Sequence, residues 1–162
     1  MTRKKSPARS PENKPFSAAA VLADYQKWLS PTEYDLLEKE IGSPLLPTIR
    51  LNPLKTSADF SGYLTHRYGW KLETVPFCES GFRVETGEGP LVSNTLEHRL
   101  GLYYMQEAAS MLPVELFTLS PSQPGLSLDM AASPGGKTTH LVSRLNDQGL
   151  VIANDSSQGR IQ

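Results

Sequence analysis

Residues 126 to 139 read Leu-Ser-Leu-Asp-Met-Ala-Ala-Ser-Pro-Gly-Gly-Lys-Thr-Thr, and this run constrains the fold more than any other. An apolar stretch ends on an acid, a small-residue bend follows, and Leu141, Val142 and Leu145 then recur at helical spacing. The order is strand, tight turn, helix. Asn146-Asp147-Gln148-Gly149 supplies a stop, with Gly149 as the expected C-cap. Leu150-Val151-Ile152-Ala153 then reads as a buried parallel strand that ends at Asn154-Asp155. A strand-bend-helix-strand unit of this kind presents backbone amides at a helix N-terminus to a nucleotide-like ligand. Small residues in the bend keep a Cβ from holding that ligand away.

Asp155 follows Gly136 by nineteen residues. An acid about 20 residues past the glycine bend, at the tip of the second strand, suits a ribose diol, because a carboxylate accepts from both hydroxyls. Three readings of the bend compete. Gly136-Lys137-Thr138 fits the end of a phosphate-binding P-loop, but Ala131 stands where its first glycine belongs and Asp129 would face phosphates. The G-x-G-x-x-G of dinucleotide folds is absent. S-adenosylmethionine (SAM) carries an amine and a sulfonium and no phosphate, so an acid at the strand end attracts it. SAM is the preferred ligand, an NTP the alternative, and a plain loop-helix connection the third reading. The expected cofactor contacts are Ala131, Ala132, Ser133, Pro134, Gly135, Gly136 and Lys137 at the methionine end and Asp155 at the ribose, with Asp129 orienting the bend.

Asp129 to Thr139 resembles the SAM-binding motif of the Nop/Sun-type RNA cytosine-5 methyltransferases. Tyr104-Met105-Gln106-Glu107-Ala108-Ala109-Ser110-Met111-Leu112-Pro113 resembles the segment that precedes it there. Ile49-Arg50-Leu51-Asn52-Pro53-Leu54-Lys55 resembles the family's N-terminal signature. The likeness runs from about Pro47 to Arg160 and is strongest to the bacterial members that modify small-subunit ribosomal RNA. It implies an α/β fold: the start of a Rossmann-like SAM-dependent methyltransferase domain, truncated after two strands, behind a small α+β N-terminal domain. It also implies an RNA partner, ribosomal RNA first, and a product carrying 5-methylcytosine. In the family a thiolate adds to carbon 6 of the base, and that cysteine comes from later strands, here beyond residue 162. Cys78, the single cysteine, matches no such position and reads as structural. No catalytic residue is therefore expected within the chain, and it should not turn over by itself. Ser133 stands where alanine is common in the family, and Asp155 where many relatives have Glu.

Composition adds limits. The formal net charge of −1 gives no overall nucleic-acid signal. Residues 1–15 hold five bases against one acid and are interrupted by Pro7, Pro11 and Pro15, a pattern of a disordered solubilising tail. One cysteine excludes an internal disulfide, no apolar run approaches a membrane span, and no secretory signal opens the chain, which places it by expectation in the cytoplasm. No metal ligand set is expected; His98 has no second His or Cys nearby.

Residues 16–100 should form the N-terminal RNA-presenting domain and 101–162 the beginning of the methyltransferase domain. A helix is expected over Ser17–Leu29, with Tyr25 and Trp28 in a core. A second helix should start at the capping box Ser30-Pro31-Thr32-Glu33 and run to Ile41, Leu36 and Leu37 inward. Next come a strand at Thr48–Leu51, a helix from Thr56 or Ser57 to Tyr68, and strands at Trp70–Val75 and Phe82–Glu85 turned at Glu79-Ser80-Gly81. Arg50, Lys55, Arg67 and Lys71 are either phosphate contacts or ordinary surface charges. A helix over Glu107–Phe117, kinked at Pro113, should pack Ala108, Met111, Leu112 and Leu116 on the sheet, with Gln106 and Glu107 bracing the bend. Two functional alternatives follow: an RNA-binding module without catalysis, or an NTPase.

Overall fold

A computed structural model describes residues 22–41 and 43–157. The basic tail, the first part of the Ser17–Leu29 helix and the segment after Ser157 lie outside these residues. By internal contacts the chain divides between Leu45 and Leu46.

In the first unit the capping box forms as expected. Ser30 N donates to Glu33 Oε2 at 2.8 Å, Ser30 Oγ to the same oxygen at 2.7 Å, and Glu33 N returns to Ser30 Oγ at 3.4 Å. These bonds hold the Glu33 carboxyl below its ordinary value. Helix α1 spans Pro31–Ile41. Leu36 is 57% exposed and Trp28 78% exposed, so neither is the core residue expected from spacing. Leu22 is buried. After Ala23 the backbone proceeds by turns, Tyr25 N donating to Leu22 O and Trp28 N to Tyr25 O, instead of a helix through Leu29.

The second unit is built on a four-stranded antiparallel sheet in the order β2-β3-β1-β4. Strand β1 is Thr48–Leu51, β2 Lys71–Val75, β3 Cys78–Glu85 and β4 Tyr103–Met105. Helix α2, Phe60–Tyr68, covers one face. It starts later than expected because Thr56 N and Oγ1 both bond back to Asn52 O, which closes a turn there. It ends at Gly69 in the left-handed conformation, φ +69°. Under it lie Ile49, Leu51, Leu64, Trp70, Val84, Val92 and Tyr103. The hairpin turns at Pro76-Phe77 and not at Glu79-Ser80-Gly81, which belong to β3. Gly81 is there for space: a Cβ would meet Met111 Sδ at 2.8 Å and Val75 Cβ at 3.1 Å. Strand β4 was not expected; it lies just beyond residue 100 and pairs with β1, so both sequence-defined parts contribute to this sheet.

After a short helix α3, Leu96–Arg99, helix α4 spans Ala108–Glu115 and continues through Pro113. Met111 and Val114 are its buried residues, whereas Leu112 and Leu116 face outward, contrary to the expected stripe. Met111 packs with Val75 and Cys78 of the hairpin. Strand β5 (Leu126–Asp129), helix α5 (Gly136–Arg144) and strand β6 (Leu150–Ala153) form the expected parallel unit, Leu126 opposite Leu150 and Asp129 opposite Ala153. Its helix buries His140, Leu141 and Ser143. Beyond the helix, Asn146 and Asp147 take positive φ, while the C-cap is Leu145 and Gly149 enters β6, where a Cβ would meet Pro124 Cβ at 2.8 Å. The second strand is not buried as expected. Leu126, Leu128, Leu150 and Ile152 are all exposed, since one face of this two-stranded sheet carries no layer among the described residues. No helix is long and apolar enough to cross a membrane among the described residues.

Candidate cofactor-binding site

The bend between β5 and α5 is held from both strand tips. Asp129, at the end of β5, accepts from Ala131 N at 3.1 Å and from Thr138 Oγ1 at 2.6 Å, so one carboxylate ties the beginning of the bend to the first turn of the helix. Asp155, just past β6, accepts from Ser133 N at 3.1 Å and from Ser157 N at 2.9 Å. Ala132 N donates to Asn154 O at 2.9 Å and Gly135 N to Ala132 O at 2.6 Å. The Ser133–Pro134 peptide is cis, and Gly135 leaves the bend at φ +106°, a conformation that excludes a side chain.

The sequence-predicted residues thus come together, and the structure divides their work. The amides of Ala131, Ala132, Ser133 and Gly135 are used inside the protein, so these residues shape the bend. In α5, Thr139 N makes the bond to Gly135 O that opens the helix. The amides of Gly136, Lys137 and Thr138 precede that bond and form the first turn of the helix, whose amides have no partner within it. A cleft of about 180 Å³ lies beside the bend, walled by Ala131–Pro134, Gly136 and Lys137 on one side and Tyr104–Glu107 and Ser110 on the other. A larger cavity, about 540 Å³, opens between the end of α4 and β5. Its walls are mainly apolar, Phe117, Leu126, Leu128, Leu141 and Leu145 among them, with Lys137 and Asp129 at its margin. The smaller cleft is the one lined by the backbone of the bend.

Arg50 is 2% exposed and was not foreseen as part of this site. Its Nε donates to Gln106 Oε1 at 3.0 Å, Nη1 to Ser143 Oγ at 3.1 Å, and Nη2 to Thr139 Oγ1 at 2.9 Å and Gly136 O at 3.3 Å. Burial pushes the guanidinium down to about 10, still charged at neutral pH, while Cys78, Tyr104 and Glu115 favour the charge. Arg50 is therefore no phosphate contact. Arg67 and Lys71 pair with Glu97 and Glu85, and Lys55 Nζ donates to Leu100 O. Gln106 braces the bend through Arg50 and by packing near Gly136. Glu107 occupies the N-cap position of α4 and makes no side-chain cap bond. The signal for Arg50 was a lone charge between Ile49 and Leu51 in an alternating strand, but only the strand register says what lies opposite.

Cys78 is buried below α4, and burial pushes its thiol above the ordinary range. Cys78 Sγ, a Glu115 carboxylate oxygen and a His140 ring nitrogen lie within 4.8 Å of one another, a metal-like grouping. The groups already serve each other. His140 Nε2 lies 2.9 Å from Glu115 Oε1, and Arg144 Nη1 lies 3.4 Å from Glu115 Oε2 and donates to Val114 O at 2.6 Å. Arg50 and Arg144 act on His140 as repelling charges, and the Glu115 carboxylate opposes them. His140 Nδ1 is buried without a partner among the described residues, whereas a metal-bound imidazole anchors its outer nitrogen. The cluster locks α4 to α5.

The fold is the start of a Rossmann-type α/β domain joined to a four-stranded antiparallel sheet. Residues 18–108 match the N-terminal domain of 16S rRNA methyltransferase RsmF, and residues 116–162 match the 16S rRNA methyltransferase RsmB/F family. The chain belongs to the RsmF-type family of 16S rRNA methyltransferases. It is 45% identical over 121 residues to ribosomal RNA small subunit methyltransferase F of Pectobacterium atrosepticum, and 46% identical over 123 residues to that of Shewanella loihica; each match covers 74% of this chain. The chain spans about a quarter of the length of these relatives, 25% in both cases. Among solved structures, a methyltransferase homolog protein from Pyrococcus horikoshii superposes with a TM-score of 0.75 at 30% identity, over 87% of this chain and 45% of that one. NSun6 from Pyrococcus horikoshii, solved with SFG, shares the fold at a TM-score of 0.69 and 18% identity, over 86% of this chain and 59% of that one.

Proposed function

We propose that this chain provides the RNA-presenting and cofactor-opening parts of a SAM-dependent methyltransferase that forms 5-methylcytosine in small-subunit ribosomal RNA. Residues 16–100 present the RNA, and residues 101–162 begin the methyltransferase domain. Gly136 and Lys137 receive the methionine end on the helix N-terminus, Ala131–Gly135 shape the bend around it, and Asp155 takes the ribose diol in competition with the Ser133 and Ser157 amides it now accepts. When bound, SAM supplies the electrophilic methyl group.

The observation that carries this reading is the pair of carboxylates behind one bend. Asp129 ties both ends of it, through Ala131 N and Thr138 Oγ1, and Asp155 grips its middle through Ser133 N. Two acids at one bend attract a sulfonium and an amine and repel a triphosphate. That favours SAM over an NTP, as does Ala131 in the place of a P-loop glycine. The likeness to NSun6 solved with SFG, a SAM analogue, points the same way. Cys78 is sealed under α4 with its thiol pushed above the ordinary range, which argues against it as the nucleophile.

The test is a titration of the chain with S-adenosylhomocysteine, followed by calorimetry and by amide shifts. Losing charge-assisted bonds to the ribose should weaken Asp155→Ala by about ten-fold or more. Equal affinity in the variant removes the ribose assignment, and the absence of saturable binding to wild type up to millimolar ligand removes the cofactor assignment.

A further inference from the structure

One row crosses the antiparallel sheet. Gly81 of β3 and Tyr104 of β4 are both register partners of Arg50 in β1. Direct cross-strand partners share a face, and this one is opposite the α2-covered core that takes Ile49 and Leu51. At Gly81 the missing Cβ admits Met111 of α4. At the other two positions long polar side chains reach the bend itself. Tyr104 OH donates to Pro134 O at 3.0 Å, and Arg50 Nη2 donates to Gly136 O at 3.3 Å.

Those carbonyls flank Gly135, the bend's most permissive residue. A trans peptide fixes C=O and N–H in one plane, pointing oppositely. A donor on Gly136 O therefore aims Lys137 N–H away from the sheet, and a donor on Pro134 O sets the orientation of Gly135 N–H in the same manner. Arg50 also holds Thr139 Oγ1 and Ser143 Oγ, one turn apart on α5, so helix and bend move as one body. Gly136 is packed close: a Cβ there would meet Tyr104 Cε1 at 3.3 Å and Gln106 Cδ at 3.5 Å. Every hydrogen-bond acceptor around the guanidinium is neutral. Only a planar fork reaches acceptors in several directions at once, and lysine cannot reproduce it.

We propose that Arg50 and Tyr104 are cofactor-positioning residues, a two-point clamp through which the antiparallel, RNA-presenting sheet sets the geometry of the SAM bend. This rests on the cofactor reading above. It makes cofactor affinity depend on Arg50, a strand residue outside the cleft beside the bend, while Tyr104 stands in the wall of that cleft.

The experiment compares wild type, Arg50→Lys, Tyr104→Phe and the double variant, each in the whole 162-residue chain. S-adenosylhomocysteine affinity is read from amide shifts, global stability from urea unfolding, and local order from hydrogen exchange at the bonded amides of Gly135 and Thr139 without ligand. Arg50→Lys should weaken binding by about ten-fold and Tyr104→Phe by about three-fold. The double variant should fall short of the product, because both act on one bend. Exchange at the bonded amides of Gly135 and Thr139 should accelerate more than the change in global stability explains, which a merely structural role would not produce. Affinity within two-fold of wild type in Arg50→Lys overturns the clamp. If wild type itself does not bind, the cofactor reading fails, and unchanged exchange in Arg50→Lys then overturns the clamp independently. Should Arg50→Lys not fold, Tyr104→Phe and Thr139→Val carry the same comparison at positions with less buried charge.

Discussion

Acid should weaken this fold through His140 before it weakens it through most carboxylates. The imidazole is 1% exposed and sits between α4 and α5. Burial pushes it down to about 4; Arg50 and Arg144 push the same way, and Glu115 opposes them. An unfolded histidine titrates near 6.5. Between these values the unfolded chain takes a proton that the folded chain refuses, so stability falls as pH drops from about 6.5 to about 4 and is unaffected above that window. Over that span, at about 1.4 kcal/mol per pH unit, the loss is about 3 kcal/mol, a large part of the roughly 5–15 kcal/mol that holds an ordinary domain. Urea unfolding followed by the fluorescence of buried Trp70, at steps from about pH 7.5 to about 4.5, measures it in wild type and in His140→Gln. Carboxylates away from His140 are common to both proteins and cancel in the difference, and Glu115, its direct partner, is the one exception. The stability gap between them should narrow by about 2–3 kcal/mol toward acid. A constant gap, or one that widens because a charged imidazole pairs with Glu115, would refute the reasoning.

Other expectations follow from the same packing. Gly81→Ala should cost about 1–3 kcal/mol by chemical denaturation, because the new methyl meets Val75 Cβ at 3.1 Å and Cys78 Cβ at 3.2 Å as well as a flexible methionine sulfur. Cys78 should resist a thiol reagent in the native protein and react at the rate of global unfolding; fast labelling of folded protein would show the site to be open. Thr138→Val removes the 2.6 Å bond to Asp129 Oδ2 and leaves a carboxylate oxygen short of a donor, a loss of about 1–3 kcal/mol. Hydrogen exchange in Thr138→Val should rise first at Ala131–Gly135, and a uniform rise across the sheet would contradict that assignment.

Local chemistry was legible wherever neighbours in sequence are neighbours in space. The capping box at Ser30–Glu33, the strand-bend-helix-strand unit from Leu126 to Ala153 and the strand Thr48–Leu51 follow from side-chain periodicity and short-range hydrogen bonds. The hairpin was misplaced because Gly81 looked like turn punctuation, although it is a strand residue made small by Met111. Leu36, Leu112, Leu116, Leu150 and Ile152 were expected inside, but spacing tells only that residues share a face, not that something covers it.

Residues read in chain order were enough for the acid-tipped bend and, through its likeness, for the methyltransferase family, because both depend on neighbours along the chain. Tertiary structure alone decided that Arg50 lies 3.3 Å from Gly136 O, that Tyr104 shares its row, and that Asp129 and Asp155 grip one bend. Strand register is a long-range choice set by packing on both faces of a sheet, and one residue of slip would have turned Arg50 into the core and Ile49 toward α5.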